Sequence, residues 1–85
     1  MNIFVASLNF KTRSEDLVKA FSKYGQVASA KIIKDKETGR SKGFGFVEMP
    51  NDAEALSAIA GLNETALDGR TIVVKPANAK GPTGG

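Results

Sequence analysis

The sequence predicts an α+β sandwich in the order β-α-β-β-α-β, a four-stranded antiparallel sheet with two helices on one face. Two stretches carry apolar residues at i, i+3, i+4 and i+7, the mark of a helix with one buried face. Four short runs are rich in β-branched and aromatic residues, and turn signals separate them. At 85 residues the chain holds one domain and one modest core.

Asn2 to Ala6 (NIFVA) is the first strand. Thr12-Arg13-Ser14-Glu15 has the form of a capping box, in which a Thr hydroxyl and a Glu carboxylate satisfy the free N–H groups of a helix start. Leu17, Ala20, Phe21 and Tyr24 then give the first helix its apolar face, and Gly25 is expected to end it. Val27 to Lys34 is the second strand, with Ala30 and Ile32 on one side and Lys31 and Ile33 on the other. Asp35 to Ser41 is a charged turn in which Gly39 can take a positive φ. Residues 42–49 (KGFGFVEM) form the third strand.

Asn51-Asp52-Ala53-Glu54 again reads as a helix cap, and Ala55, Ala58, Ile59 and Leu62 repeat the helical spacing. Asp68-Gly69 signals a tight hairpin turn. Arg70 to Lys75 is the last strand, with Ile72 and Val74 on one face. The order is the split βαβ, or ferredoxin-like, arrangement. Residues 1–77 are expected to be the folded domain and residues 78–85 a flexible Gly- and Pro-containing tail. Both helices cover the same side of the sheet, so the other side is left open.

Composition narrows the chemistry. The chain has no Cys and no His, which removes disulfides, thiolate chemistry, the usual zinc sites and histidine acid–base catalysis. No enzyme, metal or cofactor is expected. No apolar run approaches the roughly 18 residues of a membrane span, and no leader pattern precedes the first strand, so a cytoplasmic location without membrane attachment is the default. The net charge of +3 is concentrated: residues 31–42 hold five bases and two acids, and the rest of the chain balances seven against seven. Such a cluster is either a solvated turn or the footprint of a polyanion partner.

Alternation decides which way the third strand faces. Lys42, Phe44, Phe46 and Glu48 share one side; Gly43, Gly45, Val47 and Met49 share the other. Turning the phenylalanines toward the helices would drive Lys42 and Glu48 inward as well, and an unpaired buried ion costs several kcal/mol. Burying Val47 and Met49 carries no such penalty, and the two glycines would let the helices approach closely. Phe44 and Phe46 therefore face outward. The same alternation buries Ile3 and Val5 and sends Phe4 outward with Asn2 and Ala6. In this topology the first and third strands are neighbours, so Phe4 falls beside Phe46. Three rings rimmed by Lys31, Lys42 and Lys75 suit unpaired nucleobases, with rings stacking on bases and lysines meeting phosphates.

These residues resemble the RNA recognition motif family over residues 2–77. KGFGFVEM matches the family octamer except at Met49, where Phe or Tyr is usual, and Ile3 to Leu8 (IFVASL) matches its hexamer except at Ser7, where Asn is usual. Glu64 stands after Asn63 where the family often has Gly. The resemblance implies that Phe4 and Phe46 each stack on a base, that Phe44 packs between the sugars and that Lys42 contacts a phosphate. Asn2, Lys31, Arg40, Glu48 and Lys75 complete the expected RNA-binding set. Glu48 would repel phosphate or accept hydrogen bonds from a base edge, and both readings stay open. The chain looks most like the small single-domain bacterial members and less closely like the glycine-rich plant ones. Single-stranded RNA is the expected partner, with single-stranded DNA able to substitute in vitro, no small-molecule substrate, and a monomeric state.

Two rival readings use the same fold. A protein-interaction or dimerisation module could use the aromatic face, and a small ferredoxin-like phosphatase could draw on Asn9 and Arg13. A dinucleotide fingerprint starting at Gly43 fails, because it needs Gly where Glu48 stands and a helix where the strand continues.

Overall fold

The computed structural model describes residues 1–77. The expected tail over residues 78–85 lies outside the described residues. The main sheet is built from β1 (Asn2–Ala6), β2 (Ser29–Lys34), β3 (Ser41–Glu48) and a fourth strand, β6 (Val73–Pro76). Its order is β2-β3-β1-β6, all neighbours antiparallel. The helices are α1 (Ser14–Ser22) and α2 (Asp52–Leu62). Two short strands, β4 (Ala66–Leu67) and β5 (Arg70–Thr71), make a separate ribbon. Among the described residues no helix is long and apolar enough to cross a membrane.

The core is what the two periodicities dictate. Ile3 and Val5 of β1, Val47 at the end of β3 and Val74 of β6 are buried against Leu17, Ala20 and Phe21 of α1 and Ala55 and Ala58 of α2. Met49 is buried just beyond β3, while Tyr24, Ile59 and Leu62 close the margin half-buried. Burying a side chain such as Leu17 or Phe21 is worth about 1.5–3 kcal/mol. The α2 cap is as expected: Asn51 Oδ1 accepts from Glu54 N at 3.0 Å.

Two expectations about the ends of α1 need correction. Thr12 and Glu15 do not cap α1. The N-cap is Arg13, whose backbone N–H donates to Asp16 Oδ2 at 2.9 Å. Thr12 is instead 3% exposed, and its hydroxyl donates to Asp68 Oδ2 at 2.7 Å, tying the β1–α1 loop to the β4–β5 turn. Gly25 is not in the left-handed region, and α1 ends before it with Tyr24 N donating to Phe21 O at 3.0 Å. A Cβ at Gly25 would collide with the side chain of Glu54, whose Oε1 accepts from Gln26 N at 3.1 Å. That glycine serves packing, not helix termination.

The last strand is also divided. Asp68 and Gly69 have φ of 52° and 80°, as a two-residue type I′ turn requires, but the hairpin they close is β4–β5. Ile72 lies between β5 and β6 and exchanges backbone hydrogen bonds with Thr65 and Glu64 at 2.9 and 2.8 Å. The second strand begins at Ser29 rather than Val27, although Val27 still packs on the core.

The glycines of β3 do a different job from the one alternation assigns them. A Cβ at Gly45 would fall on the Lys31 carbonyl oxygen and lie 3.2 Å from Ile32 Cα, so it is the neighbouring strand that requires glycine, not the helices. Gly43 has φ of 86° and sits in a bulge: Ile32 pairs with Gly45 but Lys34 with Ser41, a step of two residues along β2 against four along β3.

Candidate nucleic-acid interface

Register across the sheet sets the open face in rows. Lys31 of β2 is opposite Phe46, Phe46 is opposite Phe4, and Phe4 is opposite Lys75 of β6. A single row therefore reads cation, ring, ring, cation. On one side of it lies Phe44 opposite Ala6, with Val73 beyond. On the other lies Glu48, opposite Ser29 on one flank and Asn2 on the other. Facing residues in such pairs have Cβ atoms about 4.5–5.5 Å apart, close enough to act on one ligand.

The three rings support each other. The Phe4 centroid is 5.6 Å from that of Phe46 and 5.8 Å from that of Phe44, with tilts of 52° and 44°. Phe44 and Phe46 meet edge to face at 6.4 Å and 88°. These separations lie within the attractive range for aromatic pairs and hold each ring in place while it stays only half-buried. Among the described residues no element covers them.

Charge surrounds the rings without being consumed. Lys31, Lys42 and Lys75 are exposed, and among the described residues none of them forms an ion pair. Glu48 is also exposed, and it borders a hollow of about 410 Å³ shared with Phe46, Asn2, Ser29 and Lys31. A carboxylate there offers two acceptor oxygens beside the Phe46 ring.

The predicted residues form two groups, not one. Phe4, Phe44, Phe46, Asn2, Lys31, Glu48 and Lys75 make up the sheet platform. Lys42 and Arg40 do not join the central row. The bulge at Gly43 interrupts the alternation before it reaches Lys42, and Arg40 is carried by the β2–β3 loop. That loop is a defined turn, in which Asp35 Oδ1 accepts from Glu37 N at 2.8 Å and Asp35 N donates to Arg40 O at 2.8 Å. Both bases line a cleft at the Phe44 end of the platform, together with Lys11, Arg13 and Phe10. Phe10 is missing from the sequence-derived set. Its signal was available: it is an aromatic in a polar loop, outside every strand and helix period, with no core face to serve.

Comparison with known proteins agrees with this architecture. The RNA recognition motif family matches residues 3–73. Glycine-rich RNA-binding protein 1 of Mycosarcoma maydis is 51% identical over 83 residues, covering 98% of this chain and 47% of the relative. Glycine-rich RNA-binding proteins of plants match as well, and the chain spans about half the length of the curated relatives it matches. Of the two likenesses read from the sequence, bacterial and glycine-rich, these fungal and plant relatives favour the second. The crystal structure of RNA-binding protein PG1 superposes with a TM-score of 0.88 at 49% identity, over 91% of this chain and 93% of that one. The Sxl-lethal protein/RNA complex superposes at 0.83 and 33% identity, over 89% of this chain and 47% of that one. The chain belongs to the RNA recognition motif family.

Proposed function

We propose that the open sheet face binds single-stranded RNA, with Phe4 and Phe46 stacking on successive bases and Phe44 packing against the sugars between them. The observation that carries this reading is the row Lys31–Phe46–Phe4–Lys75, two flat apolar surfaces with a cation at each end. Bases supply the flat partners and phosphates the anions, and only an unpaired strand exposes both at once. That a neighbouring structure of the same fold is an RNA complex supports it. Post-transcriptional regulation in the cytoplasm by a monomer is the setting this reading favours.

Magnitudes set its strength. Stacking contributes about 1–3 kcal/mol per base, so two bases give ~2–6 kcal/mol, to which phosphate contacts add a salt-sensitive gain. A Kd on the order of micromolar follows, with discrimination over two to four nucleotides. Glu48 adds the discrimination. Its two oxygens only accept, and guanine alone among the bases offers two adjacent donors, N1–H and N2–H, on its Watson–Crick edge. A base stacked on Phe46 with that edge toward the hollow is therefore guanine in preference to the other three.

Titrating fluorescent single-stranded RNA pools against wild type and Phe46→Ala tests the reading. The variant is expected to stay folded and to lose ~1–3 kcal/mol of binding. Equal affinity of the two proteins would exclude the stacking mechanism.

A further inference from the structure

Asp-Gly occurs once in the chain, at Asp68–Gly69; the other aspartates precede Leu17, Lys36 and Ala53. The pairing matters because the backbone nitrogen after an aspartate can attack the side-chain carboxyl and close a five-membered imide ring. A side chain on the attacking residue hinders that approach, and glycine has none. Nothing else shields Gly69. It is exposed, and a Cβ built on it would meet no atom within 4 Å. By sequence and exposure, this turn is the peptide of the chain most open to ring closure.

Hydrogen bonds supply what steric shielding does not. The Thr12 hydroxyl donates to Asp68 Oδ2 at 2.7 Å, and Asn9 Nδ2 donates to the Asp68 carbonyl oxygen at 3.0 Å, across 56 and 59 positions of sequence. Thr12 is 3% exposed, so water competes little for its hydroxyl. The segment that carries both donors is itself fixed, with Lys11 N donating to Asn9 Oδ1 at 2.9 Å and Thr12 N to Asn9 O at 3.0 Å. Ring closure needs the Asp68 carboxyl to swing toward Gly69 N while the peptide between them rotates. Thr12 holds the carboxyl and Asn9 holds the peptide. The type I′ turn, with φ of 52° and 80° and Leu67 paired to Arg70, restrains the same rotation.

We propose that Asp68–Gly69 is a site of self-modification to isoaspartate, held closed by Thr12 and Asn9 for as long as the β1–α1 loop is docked on the β4–β5 turn. In the first step the Gly69 nitrogen attacks Asp68 Cγ. The N–Cγ bond forms, one Cγ–O bond breaks, and that oxygen leaves as water with the Gly69 amide proton and a proton from the carboxyl or the solvent. Water then opens the imide at either carbonyl. Opening at Cγ returns aspartate; opening at the backbone carbonyl carbon leaves the chain running through the side chain, with a free α-carboxylate. Only water leaves and enters. The product carries one extra backbone carbon in a two-residue turn, which breaks the Leu67–Arg70 register. Its carboxylate hangs directly from Cα, one carbon short of the reach to Thr12. That α-carboxylate is the group that a repair methyltransferase, working with a sulfonium methyl donor, would take.

An ageing series tests this. Wild type, Thr12→Val, Thr12→Ser, Asp68→Glu and Val74→Ala are held at physiological temperature in mildly acidic buffer. Isoaspartate is read by methyl transfer from labelled S-adenosylmethionine with an isoaspartyl methyltransferase, and located by peptide mapping. Thr12→Val accumulates isoaspartate at Asp68 about tenfold faster than wild type, the factor expected for losing one hydrogen bond to a charged group. Thr12→Ser keeps the hydroxyl and the wild-type rate, and Asp68→Glu gives no signal at that position. Val74→Ala loosens the core and leaves Thr12 in place, so at a matched folded fraction in urea it ages more slowly than Thr12→Val. Equal rates in wild type and Thr12→Val overturn the role of Thr12. Equal rates in Thr12→Val and Val74→Ala at matched folded fraction place the reaction in the unfolded chain and overturn it as well. Isoaspartate arising first at Asp16, Asp35 or Asp52 overturns the choice of site.

Discussion

Phe21 and Phe46 are the same side chain on opposite sides of one sheet, and they are there for opposite reasons. Phe21 is fully buried, enclosed by the helices and strands of the core. Phe46 is half-exposed, meets the rings of Phe4 and Phe44 and lies opposite Lys31 on the neighbouring strand. The difference lies in what covers each face, not in hydrophobicity. The side covered by helices excludes water, so its buried cluster is apolar and stabilises the fold. The open side keeps apolar surface beside charge, the mixture that the proposed RNA site would use.

The sharpest way to break the comparison is to remove both rings in turn. Phe21→Ala should cost ~3–5 kcal/mol of folding stability, read as a fall in the urea midpoint, because it leaves a cavity between α1 and the sheet. Phe46→Ala should cost far less stability and instead weaken RNA binding. If the two variants lost similar stability, the open face would be a second core and the division of labour would fail. The next effect is smaller. Glu48→Gln keeps the length of the side chain but replaces one acceptor with a donor, so it mismatches guanine's paired donors. Binding to a guanine-containing tetranucleotide should fall by about 1 kcal/mol while an adenine-containing one changes little, measured by competition. An equal change for both would show that Glu48 acts on phosphate, through simple repulsion.

Much of this division was legible in the sequence because it depends on short-range periodicity. Val47 and Met49 alternate with Phe44, Phe46 and Glu48, and the cost of burying Glu48 was enough to orient the strand. Leu17, Ala20 and Phe21 marked the buried face of α1 in the same way. What escaped was set by partners far along the chain. Thr12 bonds a residue 56 positions away, and nothing in its neighbourhood distinguishes that from a helix cap. Gly45 is required by the backbone of β2, and the bulge at Gly43, which interrupts the alternation before Lys42, exists only in the pairing of two strands. The run RTIVVK reads as one strand because its side chains alternate correctly, while Ile72 turns aside to pair with Glu64 and Thr65.

Two departures from the family pattern acquire a physical meaning here, and one of them gives the smallest and cleanest test. Ser7, standing where Asn is usual, has φ of 60°, and Glu64, standing where Gly is often found, has φ of 61°. Both positions are left-handed, the region that Gly and Asn tolerate and other side chains resist at roughly 1–2 kcal/mol. The two differ in where they lie. Ser7 follows β1 directly, whereas Glu64 follows α2 and is exposed, and among the described residues its one hydrogen bond is from its backbone N–H to Ile72 O at 2.8 Å. Glu64→Gly therefore removes strain without removing a side-chain contact. Against that, glycine gains about 0.5–1 kcal/mol of freedom in the unfolded chain. Relief of strain outweighs this loss, so the net expectation is a stabilisation of ~0.5–1 kcal/mol, which for a domain of this size raises Tm by about 2–8 °C. RNA affinity should not move, since Glu64 lines neither the hollow beside Glu48 nor the cleft at Phe44. A lower Tm would mean that the left-handed turn is held by the Glu64 side chain, and a changed affinity would mean that the covered side of the sheet and the open side are coupled after all.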